Sequence, residues 1–210
     1  MMFFLLKLRL IIQDYFRDRI FIFILVSVLF LMGAIFGILA TGVLSSVQRE
    51  NLLSYLDQGL HGEIYTPNSV YARQTIVANI KIVFFLFFMG ISEIGVPLAL
   101  LLIFTRGFIL GYSISFLLRT MGFKGLVLIL TGVLPHNLLI IPALFVMVIA
   151  IIDFAAALTK IRFTKKPVVI GEEMVKCAIL TVVVLVIMML AGFVQGFITP
   201  LFTAWLTQVI

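Results

Sequence analysis

Long apolar runs separated by short polar segments dominate the chain. The first long run begins at Ile20, directly after the charged tripeptide RDR. An apolar helix of about 20 residues spans a bilayer core of about 30 Å, and several runs reach that length. The pattern therefore predicts an all-α polytopic integral membrane protein with about five transmembrane helices. The predicted spans are residues 20–44, 80–104, 107–121, 125–158 and 176–199.

The polar segments between the spans predict the orientation of the chain. Lys and Arg are enriched in the cytoplasmic segments that flank transmembrane helices. Residues 1–19 and 159–175 each carry four Lys or Arg. We therefore expect an N-in, C-out topology, with 1–19 as a cytoplasmic amphipathic segment and 159–175 as a basic cytoplasmic loop. On the opposite side we expect an external loop, 45–79, and an external tail, 200–210.

The fourth predicted span is too long for a straight crossing. Its 34 residues, 125–158, would extend roughly 51 Å as one helix, against a bilayer core of about 30 Å. The span therefore has to tilt or break. Since proline has no N–H to lose from a helix, we expect a break near 135–137, at Pro135.

The boundary between the second and third spans has two candidate positions. Only a dozen residues separate Gly107 from Arg119, which is short for a full crossing. A boundary at Ser92–Glu93 would instead make Val96–Leu118 the third span. The number of crossings, and with it the orientation, is the same for both.

The composition agrees with a membrane protein and argues against other classes. Of 210 residues, 63% are hydrophobic and 11% are charged, whereas soluble domains carry about 25% charged residues. The net charge of +6 comes mainly from basic residues that flank the spans, so it does not indicate a nucleic-acid surface. The single cysteine, Cys177, excludes an internal disulfide and a Cys-rich metal site.

Four ionisable residues lie in or beside the predicted spans, where burying a charge costs several kcal/mol. These four, which stand out from the ionisable residues at the span ends, are Glu93, Arg106, His136 and Asp153. One hypothesis is that Glu93 and Arg106 neutralise each other between adjacent segments. The alternative is that each of the two marks the end of a helix.

His136 lies between Pro135 and Asn137 in a segment that is otherwise almost wholly apolar. A catalytic or metal-binding histidine needs partners such as a nucleophile, a carboxylate or further ligands. His61 is the only other histidine, and no catalytic sequence motif is present. We therefore expect His136 and Asn137 to satisfy carbonyl groups freed at the proline, where a bilayer offers no water. The sequence predicts no catalytic residue, no metal site and no cofactor.

Three G-x-x-x-G motifs occur within the spans. This spacing lets the backbones of two helices approach closely. The motifs predict either tight packing inside the protein or docking of partner helices, and Gln195 within the third motif could add an interhelical hydrogen bond. The pairs are Gly33 and Gly37, Gly107 and Gly111, and Gly192 and Gly196.

Several segments carry a resemblance to a known family. They are FILVSVLFLMGAIFG in the first span, Asn79, GISEIG, RGFILG and, in the fourth span, LPHNLLIIPA. Together they resemble the stage II sporulation protein M family over nearly the whole chain. Arg106 stands where that family usually has asparagine. Asn137 and Ile140 replace a glycine and a carboxylate of the proline-histidine motif, which argues against acid–base chemistry there.

The resemblance implies a membrane component of the engulfment machinery of endospore-forming bacteria. Such a protein lies on the mother-cell side of the sporulation septum. It binds two membrane-anchored peptidoglycan hydrolases, one similar to a lytic transglycosylase and one an amidase/endopeptidase. Its role would be that of a non-catalytic scaffold that localises and assembles both enzymes for septal wall thinning and engulfment of the forespore.

Partner contacts are expected at the external loop and at the glycine faces of the helices. Tyrosines at a bilayer edge are also common interfacial anchors, and this interpretation stays open. A small membrane transporter or permease subunit is the alternative function, because broken helices are frequent in transporters. An intramembrane enzyme is disfavoured by the missing catalytic set. The candidate contact residues in the loop are Leu52, Tyr55, Leu56, Tyr65 and Tyr71.

Overall fold

The computed structural model describes residues 19–65, 68–90, 92, 95–164 and 170–199, with backbone alone for 56–65, 68 and 161–164. Within these residues the chain is helical and contains no strand. The helices are α1 (Ile20–Ala40), α2 (Ser46–Tyr65), α3 (Asn68–Gly90), α4 (Gly95–Met121), α5 (Phe123–Leu128), α6 (Leu134–Thr164) and α7 (Ile170–Phe193), with π-helical turns at Ile129–Val133 and Val194–Ile198.

Five helical segments are long and apolar enough to cross a membrane, which confirms the predicted all-α polytopic architecture. The fourth span joins α5, the first π-helical turn and α6, and the fifth joins α7 to the second π-helical turn. The N-in, C-out orientation stays a prediction. The spans are Ile20–Ala40, Ser69–Gly90, Gly95–Met121, Phe123–Lys160 and Ile170–Ile198.

The second and third spans do not follow the boundaries 80–104 and 107–121. Helix α3 ends at Gly90 and α4 begins at Gly95, so the boundary between the spans lies close to the alternative at Ser92–Glu93. Here the Ser92 N–H donates to the carbonyl of Met89 at 3.1 Å, and the Gly95 N–H donates to the carbonyl of Ser92 at 2.9 Å. The apolar runs misplaced this turn because an arginine inside α4 was taken as a helix end.

The segment predicted as an external loop, 45–79, is mostly helical. It contains α2 and the first half of α3. Ser45 and Gln48 explain where α2 begins: the Gln48 N–H donates to Ser45 Oγ at 3.3 Å, and the Ser45 N–H donates to Gln48 Oε1 at 3.0 Å. This reciprocal pair is a capping box, which satisfies two N–H groups at the helix start.

The basic loop is shorter than the predicted 159–175. Helix α6 continues to Thr164, and α7 begins at Ile170 rather than at Lys176. Glu172 and Glu173 lie in the first turn of α7, where carboxylates favour the positive end of the helix dipole. The predicted segments 1–18 and 200–210 lie outside the described residues.

The fourth span stays helical past both of its prolines. Its hydrogen bonding changes at the π-helical turn Ile129–Val133, immediately before α6. Pro135 is the second residue of α6, directly after the π-helical turn, and Pro142 lies inside the helix; neither proline has an N–H to donate to the preceding turn. The predicted break near 135–137 stays a prediction, and the described change in helical geometry precedes it.

Helix α6 forms the centre of the bundle. In the apolar stretch of the span that contains α6, 56% of the residues are buried. In the apolar stretches of the other four spans the buried share is 17–33%. The buried core includes Leu144, Met147, Val148 and Ile151 of α6, each at most 1% exposed. Four of the other helices pack around this core as two pairs, α1 with α4 and α3 with α7.

Candidate functional site: a polar cavity between close-packed helix pairs

Helices α1 and α4 interlock through two glycine pairs. A Cβ atom on Gly33 would overlap the carbonyl group of Phe104, and one on Gly37 would lie 2.7 Å from the backbone nitrogen of Tyr112. From the other side, a Cβ on Gly107 would overlap the carbonyl of Phe30. The two helices run parallel, since residue numbers rise together along the contact. Their backbones touch because glycine leaves room for them.

Helices α3 and α7 pack antiparallel through the third glycine pair. A Cβ on Gly192 would lie 3.0 Å from Cα of Ile76, and one on Gly196 would lie 2.9 Å from the backbone nitrogen of Ala72. One turn further along, the Asn79 side chain donates from Nδ2 to the carbonyl of Met188 at 3.1 Å. Asn79 is therefore a buried interhelical contact within the second span.

Polar side chains fix both ends of the bundle. Near the end of α1, the hydroxyl of Thr41 and the hydroxyl of Ser115 on α4 form a buried hydrogen bond of 2.7 Å. At the opposite end, Arg19 forms an ion pair with Asp153 of α6, with both side chains only partly exposed. Asp153, which the sequence analysis noted as an ionisable residue near a span, is thus paired with Arg19. The sequence analysis had placed Arg19 in the amphipathic segment 1–19.

All three G-x-x-x-G motifs are used for packing within the chain. The faces of Gly33, Gly37, Gly107 and Gly111 are covered by each other's helices. The arrangement agrees with the interpretation of tight internal packing, and the docking of partner anchors at these glycines stays a prediction.

A polar cavity lies between α3, α4, α6 and the second π-helical turn. Its volume is about 490 Å³, within the range of ligand pockets, about 300–1,000 Å³. Helix α3 lines it with residues three and four positions apart, which is the spacing of one helical face. Six polar lining residues are Tyr71, Gln74, Asn79, Arg106, His136 and Gln195.

Arg106 lines this cavity and is partly buried. It lies eleven residues after Gly95, roughly 16 Å along the axis of α4. Among the described residues no side chain or carbonyl forms an ion pair or a hydrogen bond with it. Glu93 lies outside the described residues, so its pairing with Arg106 stays a prediction. Arg106 is not at a helix end, and that alternative is wrong.

His136 and Asn137 lie on the turn of α6 that follows the first π-helical turn. Asn137 Nδ2 donates to the carbonyl of Val133 at 2.8 Å and lies 3.1 Å from Nε2 of His136. Because the amide nitrogen is a donor, Nε2 is the acceptor, and the neutral ring carries its proton on Nδ1. Nδ1 is buried and has no hydrogen-bond partner among the described residues.

The candidate contact residues of the external loop are distributed over two helices. Tyr55 projects from α2 with 72% of its surface exposed, whereas Leu52 is partly buried. The side chains of Leu56 and Tyr65 lie outside the described residues. Tyr71 lies in the first turn of α3 and lines the cavity, so it is not a loop residue.

Sequence reasoning missed most of the α3 side of the cavity. Gln74 and Thr75 had been placed in the loop, although the series Tyr71, Gln74, Thr75 and Ala78 has helical spacing. Ser113 of α4 also lines the cavity. No group of three or more His, Cys, Asp or Glu that could hold a metal occurs among the described residues.

Five apolar helices around a polar cavity define a polytopic α-helical membrane protein. The family model for stage II sporulation protein M matches residues 26–200, most of the chain. The chain therefore belongs to the stage II sporulation protein M family. It is 28% identical over 186 residues to an uncharacterized protein of Methanocaldococcus jannaschii, covering 87% of this chain and 96% of the relative. No solved structure matches.

Proposed function

We propose that this sporulation-related membrane protein is a non-catalytic scaffold. It localises and assembles two membrane-anchored peptidoglycan hydrolases, one similar to a lytic transglycosylase and one an amidase/endopeptidase, at the mother-cell side of the sporulation septum. The assembly supports septal wall thinning and engulfment of the forespore. The observation that carries this proposal is the family match over residues 26–200.

The structure suggests where partners bind in this proposal. The glycine faces are covered within the chain, so partner anchors pack on the outward surfaces of the spans. Helix α2 extends the contact beyond the membrane, and its exposed Tyr55 has the side chain most frequent among interface hot spots after tryptophan. We therefore assign the extracytoplasmic contact to the α2 face around Tyr55.

Crosslinking in sporulating cells tests the proposal. The tagged protein is crosslinked in the membrane, purified, and its companions are identified by mass spectrometry. The proposal predicts that two peptidoglycan hydrolases are recovered. Recovery of an ATPase or transport subunits without a hydrolase would contradict it.

A matched pair of variants tests the assigned contact. Tyr55→Ala should reduce hydrolase recovery, whereas Phe123→Ala, which removes another exposed aromatic ring, should not. Phe123 is 77% exposed beside the turn between α4 and α5. Equal recovery with both variants would show that partners do not bind around Tyr55.

The polar cavity favours a second candidate function, that of a small membrane transporter or permease subunit. Transporters place polar binding sites inside the membrane at interrupted helices, and here a π-helical turn precedes the cavity residue His136. Solute uptake into proteoliposomes that contain the purified protein would support this function. Absence of uptake, together with hydrolase recovery, would exclude it in favour of the scaffold.

A further inference from the structure

The polar cavity holds a positive charge and no negative one among its described lining residues. Arg106 is the only ionised side chain there, and no Asp or Glu of the described chain lines the cavity. Moving an unpaired charge from water into a low-dielectric interior is costly, and buried charges are normally paired. A bound anion would supply the negative charge that the described lining residues do not.

His136 adds a directed donor to the same cavity. Since Asn137 occupies Nε2, the proton on Nδ1 is left for another acceptor, and the backbone carbonyl of Gly132 one turn earlier competes for it. A buried N–H without an acceptor loses the hydrogen bond that it would make in water, which is unfavourable. An oxyanion beside Arg106 would accept hydrogen bonds from this N–H and from the guanidinium. Arginine commonly binds phosphate and carboxylate groups through two parallel hydrogen bonds of this kind.

The remaining polar residues favour phosphate over carboxylate. Gln74 of α3 and Gln195 of the second π-helical turn line the cavity with amide groups. Donors therefore reach the cavity from four structural elements. A phosphate group offers several oxygens to such a set, whereas a carboxylate offers two.

The cavity also reaches the outer surface of the bundle within the second and third spans. Ala78 of α3 and Ile109 of α4 both line it, both are exposed, and both lie near the middle of their spans. An opening of the cavity beside them would face acyl chains in a membrane. A ligand with an apolar tail can thus place its head in the cavity while its tail leaves between α3 and α4.

We propose that the cavity binds the phosphate group of a membrane amphiphile. Arg106 and the Nδ1–H of His136 donate to the phosphate oxygens, and the apolar chains of the ligand extend into the bilayer between α3 and α4. A free organic or inorganic phosphate carries the same oxyanion as the phosphate group of a membrane amphiphile. The site does not depend on the scaffold function proposed above.

Thermal unfolding of the purified full-length protein in neutral detergent tests the site. The probes are a short-chain phosphatidic acid, the matching diacylglycerol, inorganic phosphate and a fatty acid. We expect saturable stabilisation by phosphatidic acid and none by diacylglycerol. Stabilisation by inorganic phosphate at equal concentration would support a phosphate site filled from water. A stronger effect of the fatty acid, or an equal effect of diacylglycerol, would overturn the proposal.

Variants separate this site from general attraction to anionic lipid. Arg106→Gln should weaken phosphatidic acid binding at least about tenfold, the loss of one charge-assisted contact, and Arg106→Lys should restore part of it. His136→Phe should weaken binding less. Arg119→Gln removes an exposed cation from the last turn of the same helix and should leave binding unchanged. Equal binding by the wild type and Arg106→Gln contradicts the proposal, as does an equal loss with Arg119→Gln.

Discussion

Arg106 and Gly107 are neighbours on α4, yet they face regions of opposite character. Gly107 touches the backbone of α1, and nothing larger than hydrogen fits there. Arg106 lines a cavity of about 490 Å³ and has no ion-pair or hydrogen-bond partner among the described residues. One face of the helix is shaped by packing, and the next holds a charge that packing does not explain.

The comparison separates what the fold needs from what a ligand needs. In the packed region between α1 and α4 the polar groups are paired inside the protein, as in the buried hydrogen bond between Thr41 and Ser115. In the cavity, Arg106 and Nδ1 of His136 have no such partners among the described residues. Unpaired polar groups inside a membrane protein typically mark functional sites.

The largest expected effect comes from filling the interface between α1 and α4. Gly33→Leu would push a side chain into the backbone of α4 at Phe104 and Phe108, which cannot move aside as a flexible side chain could. We expect loss of monodisperse protein after solubilisation, measured by gel filtration. Gly171→Leu is the control, since a Cβ there meets nothing within 4 Å. Equal yields of both variants would show that the glycine interface does not hold the fold.

Breaking the ion pair at the other end of the bundle should have an intermediate effect. Asp153→Leu removes the partner of Arg19, and with both groups partly exposed we expect a loss of roughly 1–3 kcal/mol in stability. Thermal unfolding in detergent measures it. Lys176→Gln, which removes a helix-surface pair with Glu173, should leave the melting temperature unchanged. An unchanged melting temperature in Asp153→Leu would show that the pair contributes nothing.

Removing the buried amide between α3 and α7 should have a smaller effect. Asn79→Ala loses one hydrogen bond to Met188, and interhelical hydrogen bonds in membranes contribute about 0.6–1.7 kcal/mol. Thr105→Val is the control, because its hydroxyl bonds to its own helix at Leu101 and is exposed. The difference in melting temperature between the variants measures the bond. If the control Thr105→Val had the lower melting temperature, the hydrogen bond of Asn79 would not be the interaction that stabilises this region.

The sequence predicted the packed region better than the cavity. Apolar runs showed five spans, and the G-x-x-x-G spacing showed which glycines allow close approach. The spacing could not show that the first G-x-x-x-G motif packs against the second. Pairing of distant segments depends on how the whole bundle folds. A partner helix would have produced the same spacing.

The cavity was predicted only in part, for a physical reason. Arg106 and His136 stood out because charged and polar residues are rare within apolar runs. Gln74 and Thr75 did not, since their polarity placed them in a loop. A helix face that lines a polar cavity has the composition of a loop, and only its spacing distinguishes the two.

The most direct test of this account compares the melting temperatures of Gly107→Ala and Arg106→Met in detergent without added phospholipid. Overpacking at Gly107 should cost about 1–3 kcal/mol and lower the melting temperature by several degrees. Replacing Arg106 by an apolar side chain of similar length should leave the melting temperature unchanged or raise it, because Arg106 has no ion-pair or hydrogen-bond partner among the described residues. A fall in Arg106→Met as large as in Gly107→Ala would contradict the account, since Arg106 would then belong to the packing of the fold.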